Sequence, residues 1–154
     1  MEMPKPTDAH RKLEKLVGNW SGAEQIFPSM WDPKGGTAVG RVQNRLALDG
    51  FIVVQDAEQE RNGRIGFRGH GVFSWDATDK CYVLHWWDSM GMPPNVFRGN
   101  FDGEVLSLTC NDSHGYSRAV WEFQPDSRLN FRLQMSQDAN QWQDFIAGNY
   151  EREA

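Results

Sequence analysis

The sequence predicts an all-β protein: a closed antiparallel up-and-down barrel of about ten strands, preceded by one short helix. Three observations carry this prediction. From Asn19 onward, apolar and polar residues alternate with period two, the pattern of half-buried strands. Turn signals recur at intervals of roughly 8–12 residues, the spacing of all-β sandwiches and barrels. Nearly every connection is short, which makes neighbours in sequence antiparallel neighbours in space. A flat meander of that length leaves two open edges, and closing the last strand onto the first removes both. A sandwich of two five-stranded sheets is the main competing architecture.

The elements follow in order. Residues 7–17 form the helix: Thr7 or Asp8 caps it, Leu13, Leu16 and Val17 make a short apolar stripe, Lys12 and Lys15 suit its C-terminal half, and Gly18 stops it. So short a helix needs the body of the protein to persist. The strands read as 19–27, 37–48, 51–60, 64–75, 81–88, 96–101, 104–111, 116–124, 128–136 and 141–151. Asp49-Gly50, Asn62-Gly63 and Asp102-Gly103 are dipeptides that type I′ hairpin turns prefer. Residues 76–79, 125–127 and 138–140 are longer turns, and 28–36 and 89–95 are the two longer gaps. Gly66, Gly69 and Gly71 in the fourth strand mark bulges or tight bends. The whole chain, 1–154, reads as one domain, with the barrel over 19–151.

Composition bounds the function. Of 154 residues, 19 are aromatic, against only 32 Leu, Ile, Val and Phe, so the core rests on few, large side chains. The net charge is −5; residues 1–77 hold ten basic and ten acidic residues, and 78–154 hold six and eleven. An acidic chain without a basic stripe makes a poor partner for nucleic acid or for an anionic membrane surface. No apolar run is long enough for a transmembrane helix, and the first twenty residues lack a signal-peptide pattern. The expected location is cytoplasmic. Cys81 and Cys110 lie in strand-like runs and read as two buried thiols rather than a disulfide framework.

Leu16-Val17-Gly18-Asn19-Trp20 follows the helix and opens the first strand. This Gly-x-Trp resembles the signature of lipocalins and the wider calycin barrels. The resemblance implies that Trp20 plugs the closed end and that an Arg near the end of the barrel, here Arg152, packs over it. The ordered set of His10, Leu13, Leu16 and Gly18-x-Trp20, then Leu48-Asp49-Gly50-Phe51, Gly71-Val72-Phe73-Ser74-Trp75-Asp76 and Tyr150-Glu151-Arg152 resembles a bacterial lipocalin-like family catalogued as a domain of unknown function. It spans nearly the whole chain and implies a fold, which does not by itself supply a function.

The leading functional expectation is a binding module for a small hydrophobic or amphipathic ligand held in the barrel. Trp75, Trp86, Phe97, Trp142 and Tyr150 are the expected lining residues, and Arg41, Glu24, Asp144 and His70 the polar ones. Glu24 and Asp144 share faces with Trp20 and Trp142, and inside a barrel they need partners, for which Arg41, Arg45 and Arg118 are candidates. The loop Ser89–Asn95, with Met90 and Met92, and the stretch Phe27–Trp31 suit a portal. No nucleophile elbow and no metal-chelating His pair appears, so no catalytic residue, metal or cofactor is assigned. Haem-binding barrels of related shape take an axial His near the chain end, and the final strand here has none. Two alternatives stand beside the carrier. One is an acid/base enzyme using His70 or His85 with Asp144. The other is a solid barrel that homodimerises through Trp87, Trp121 or Phe123.

Overall fold

The computed structural model describes residues 1–154. A single α-helical turn, α1 (Asp8–Arg11), runs into a 3-10 turn over Lys12–Leu16. Ten strands follow: β1 (Gly18–Ile26), β2 (Gly36–Ala47), β3 (Ile52–Arg61), β4 (Arg64–Asp76), β5 (Cys81–Asp88), β6 (Asn95–Asp102), β7 (Val105–Asp112), β8 (Gly115–Gln124), β9 (Arg128–Ser136) and β10 (Gln143–Arg152). Each strand pairs antiparallel with its sequence neighbours, and β1 pairs with β10, so the sheet is a closed barrel. The seam runs from Trp20↔Arg152 to Ile26↔Ile146. The strand bounds fall within two residues of those expected from the sequence.

The helix departs from expectation in kind. Thr7 is its N-cap, and His10 Nδ1 accepts from the Thr7 N–H at 3.0 Å. After Arg11 the chain tightens into the 3-10 form, which eclipses side chains three residues apart. Leu13 and Leu16 therefore point the same way, and both are fully buried under the barrel. Gly18 opens β1 with φ of 135°, a conformation that side chains rarely adopt.

Two turns also differ. Asn62 and Gly63 both have positive φ, the type I′ pattern expected. The hairpin between β6 and β7 is displaced by one residue: Asp102 pairs with Val105, and Gly103, with φ of 59°, takes the first loop position, the type II′ pattern. Asp49-Gly50 lies inside the wider connection between Ala47 and Ile52 rather than in a two-residue loop.

Paired residues on neighbouring antiparallel strands point to the same side of a sheet, so the register assigns each position to the lumen or the outside. At the helix end the interior is solid. Trp20, Val53, Phe73, Leu106, Leu108 and Leu129 are buried there with Leu13 and Leu16. The rings of Phe73 on β4 and Trp121 on β8 meet across the lumen with centroids 5.4 Å apart, and Trp121 meets Phe131 at 5.3 Å. Trp75, Tyr82, Phe101 and Phe123 extend this aromatic packing. The Tyr82 hydroxyl donates to the Ala9 carbonyl at 2.6 Å, tying α1 to the barrel. Trp121 and Phe123 thus belong to the interior, so the outward face expected for them in the dimer alternative is corrected. Trp87 does lie outside and is 42% exposed.

Trp20 sits at the base, 2% exposed. Its Nε1–H donates to the Leu16 carbonyl at 2.9 Å, which also accepts from Asn44 Nδ2 at 2.8 Å. The Arg152 guanidinium lies 4.6 Å from the Trp20 ring centroid, and its Nη2 donates to the Lys15 carbonyl. Trp20, Arg152 and the 3-10 turn therefore close this end together.

A bulge changes the parity of β10. Gln134 pairs with Asp144 but Leu133 pairs with Ile146, leaving Phe145 as the extra residue. A bulge sends the side chains before it to the opposite face. Asp144 consequently lies outside, where it accepts from Gln134 Nε2 at 2.9 Å. Trp142 precedes the strand and stacks on the Arg118 guanidinium at 4.2 Å. The expectation that Trp142 and Asp144 face the lumen is corrected on this ground. A second bulge at Gln59/Glu60 leaves Gly66 as the extra residue on β4, one of the strand glycines expected to mark such a feature.

Candidate functional site

The end of the barrel opposite the helix is open. Inward-facing residues of its upper half (Ala57, Gln59, Phe67, Trp86, Leu133, Met135 and Ile146) are only half-buried. The lower half instead centres on fully buried Val53, Phe73, Leu106 and Leu108, against which half-buried Trp75, Phe101, Phe123 and Phe131 pack. The upper interior is therefore a solvent-open cup with a mostly apolar wall.

Trp86 forms much of one side. Its indole lies across the backbone of β4, where a Cβ built on Gly69 would fall 2.2 Å from the ring and one on Gly71 3.1 Å. Its Nε1–H donates to Asp88 Oδ2 at 2.9 Å, which fixes the ring's orientation. Gly69 and Gly71 are thus seats for Trp86 rather than bends. Replacing Gly69 by alanine is expected to swing the indole toward solvent. Stability should fall by about 1–3 kcal/mol, as for other overpacking changes. Tryptophan emission should shift to the red, and that shift should vanish in a Trp86→Phe background.

The deep wall of the cup, on β10, β1, β2 and β3, carries a polar niche. Glu24 is 9% exposed. The Tyr150 hydroxyl donates to Glu24 Oε2, and Gln59 Nε2 donates to Oε1 at 2.8 Å. Two glycines make room for this group. A Cβ on Gly40 would lie 2.3 Å from Glu24 Oε2, and one on Gly148 would lie 2.5 Å from the Tyr150 hydroxyl. Gln55, also buried, continues the polar strip along β3.

Burial, and after it the charge and hydrogen bond of Glu24, push the Tyr150 phenol far above its ordinary value of 10.0. A phenol whose pKa is higher folded than unfolded stabilises the fold below about pH 10, and that contribution is lost as pH rises beyond it. Burial raises the Tyr82 phenol in the same direction. Urea midpoints should therefore fall progressively above about pH 10, where the unfolded chain begins to release the Tyr150 proton. Tyr150→Phe should flatten that fall.

The structure gathers five of the nine ligand-lining expectations inside the barrel. Trp86, Phe97, Tyr150 and Glu24 line the cup or its floor, and Trp75 packs nearer the helix end against Tyr82. The other four lie outside, and for each the expectation of a lumen position is corrected. Trp142 and Asp144 are turned out by the β10 bulge. Arg41 and His70 belong to outward cross-strand rows, Ser21–Arg41–Glu58–Arg68 and Gln43–Asp56–His70–Trp87. There Arg41 Nη1 reaches Glu60 at 3.5 Å and Glu58 at 3.9 Å, and His70 Nδ1 meets Asp56 Oδ1 at 2.7 Å. The guanidinium partners expected for Glu24 are absent, and their place is taken by Gln59 and Tyr150. Gln59 was open to discovery by parity: Val53, Gln55, Ala57 and Gln59 alternate with Asp56, Glu58 and Glu60.

The outward rows border a shallow concavity of about 720 Å³ across β1–β5, lined by Arg41, Asp56, Arg68, His70 and Trp87 among others. His70 and His85 are on this outer side, with His85 in the row Val72–His85–Val96. Asp144 pairs on β10 with Gln134 of β9. The His–Asp144 pairing of the enzyme alternative is therefore not assembled. No group of three or more His, Cys, Asp or Glu side chains is placed to hold a metal ion. Both cysteines are free; Cys110 is buried inside, with its thiol pushed up by burial, whereas Cys81 is only half-buried.

The mouth is bordered by exposed apolar side chains: Met30, Trp31, Met90 and Met92. The loop bearing Met30 and Trp31 is pinned in place. Arg61 Nη1 pairs with Asp32 at 2.6 Å and Nη2 donates to the Gly35 carbonyl, and the Arg61 hydrogen bond holds the Asp32 carboxyl below the usual range. Trp31 packs edge-on against Phe145 at 6.4 Å.

Ten antiparallel strands closed first to last, with a helical plug at one end and half-buried inward side chains at the other, define a closed β-barrel protein. The chain belongs to the family described as "Protein of unknown function (DUF1579)", which matches residues 5–152. Among solved structures it is similar to that titled "Crystal Structure of Rv2717c from M. tuberculosis". The identity is 16%, the TM-score is 0.73, and 96% of this chain and 99% of that one are covered. At this identity the likeness is one of fold. A search of curated proteins finds no match. No helix is long and apolar enough to cross a membrane.

Proposed function

We propose that the protein is a lipocalin-like binding module that holds a small hydrophobic or amphipathic molecule in the upper half of the barrel. One observation carries this reading: inward-facing apolar side chains are half-exposed around a buried polar niche at one end, while the other end is packed solid. Ligand sites are typically concave and mostly apolar, with a few placed polar groups. Trp86, Phe67, Leu133, Met135 and Ile146 supply the apolar wall, and Glu24, Gln59 and Tyr150 the polar groups. The adaptable methionines at the mouth suit an entry portal.

Native mass spectrometry of the purified protein before and after solvent extraction tests the reading, followed by re-addition of octanol. A mass lost on extraction, or one octanol taken up per chain, is expected. A protein that releases nothing and takes up no octanol overturns it.

A further inference from the structure

We infer that the ligand is an amphipathic amine, whose protonated head is anchored by Glu24. The inference rests on the carrier reading and adds the charge of the ligand. Every strand contributes inward-facing side chains, and by register the cations among them lie only at the two ends of the barrel: Arg152 over Trp20 at the base, and Arg61, paired with Asp32, beside Arg64 at the mouth. Glu24 is thus a carboxylate more than nine-tenths buried with no protein cation beside it. Arg41 pairs outside with Glu58 and Glu60, Arg118 bonds outside with Gln134, and Arg45 lies in the outward row with Val54.

A buried carboxylate without a counter-charge is costly. Tyr150 and Gln59 relieve only part of that cost, because both are neutral donors. Each occupies one oxygen, and a carboxylate has about four acceptor sites, so capacity for a further donor remains. A cationic head supplies both the missing charge and the missing hydrogen bonds, and charge-assisted bonds of this kind are the strong ones.

The β5–β10 side of the mouth favours the same sign. Its connections carry Asp88, Asp112 and Asp138, with no Lys or Arg in 88–95, 111–115 or 136–142. On the other side Arg61 is taken up by Asp32, while Lys34 and Arg64 add positive charge, so the acidic bias is confined to the β5–β10 side. Carboxylates around a cleft draw in cations and repel anions. The apolar tail then packs on Trp86 and Phe67, whose ring faces also tolerate a cation in passage. A fatty carboxylate of the same length would meet like charge at the floor and on the β5–β10 side of the mouth.

Octylamine, octanol and octanoate, titrated separately into the extracted full-length protein at pH 7 by calorimetry, test the inference. Octylamine should bind at least about tenfold tighter than octanol, and octanoate weakest. In Glu24→Gln the amine and alcohol affinities should converge. The ranking in the unaltered protein stands whether or not that variant folds. Octanol or octanoate binding as tightly as octylamine overturns the amine assignment and leaves the carrier reading intact. If none of the three binds, the amine assignment falls. The carrier reading falls with it only if extraction of the purified protein also releases nothing.

Discussion

Trp20→Ala should cost about 3–5 kcal/mol, the range for removing a buried large aromatic side chain. A domain of this size is stable by roughly 5–15 kcal/mol, so this one residue accounts for a large share of the total. The loss has three parts. The ring fills the base of the barrel at 2% exposure. Its Nε1–H is one of two donors to the Leu16 carbonyl. Its face also carries the Arg152 guanidinium. The melting temperature should fall by roughly 6–20 °C for a chain of this length. Arg152→Ala, which removes an exposed cation from the ring face and its hydrogen bond to the Lys15 carbonyl, should cost about 1–2 kcal/mol. Thermal denaturation of the two variants side by side checks both values. A Trp20→Ala loss no larger than that of Arg152→Ala would show that the helical plug does not hold this end together.

Gly22→Ala is the second large effect, and it should act on barrel closure. Gly22 is flanked by Tyr150 of β10 and Gly40 of β2. A Cβ there would lie 1.8 Å from the Asn149 carbonyl oxygen and 2.9 Å from Tyr150 Cα. The obstructing atoms are backbone, so no rotamer change relieves the contact, and the seam between first and last strands must move. The cost should reach the upper end of the roughly 1–3 kcal/mol typical of overpacking. Amide exchange should quicken first in the β1–β10 pairs. Gly40→Ala provides the contrast. Its Cβ would meet the far end of the Glu24 side chain, which can move, so the niche should be disturbed more than the fold. Equal loss of β1–β10 protection in both variants would contradict this distinction.

The architecture was legible because its determinants are local. Period-two alternation and turn residues placed all ten strands, and the Gly-x-Trp resemblance anticipated the Trp20–Arg152 stack. Face assignment succeeded for Trp20 and Glu24 on β1 and for Trp86 on β5, where the strands run unbroken. It failed where parity breaks. Nothing in Asp144-Phe145-Ile146 announces a bulge, and one extra residue was enough to put Trp142 and Asp144 outside. Arg41 and His70 failed for another reason. Each has a charged partner across the outer face, Glu58 and Asp56 respectively, and such pairings depend on register, which a single strand's sequence does not contain. The Glu24 niche was only half visible. The carboxylate could be picked out, but the space for it comes from glycines on two other strands, Gly40 and Gly148.

The central claim is that the barrel is an open ligand-sized cup above a solid base. Methyl-resolved NMR during an octanol titration tests it most directly. The account predicts shifts confined to Ala57, Leu133, Met135 and Ile146, with the Trp86 indole signal moving in step, while Val53, Leu106 and Leu129 stay fixed. Absence of any shift, or shifts centred on the base or on the outer rows around His70 and Trp87, would contradict it.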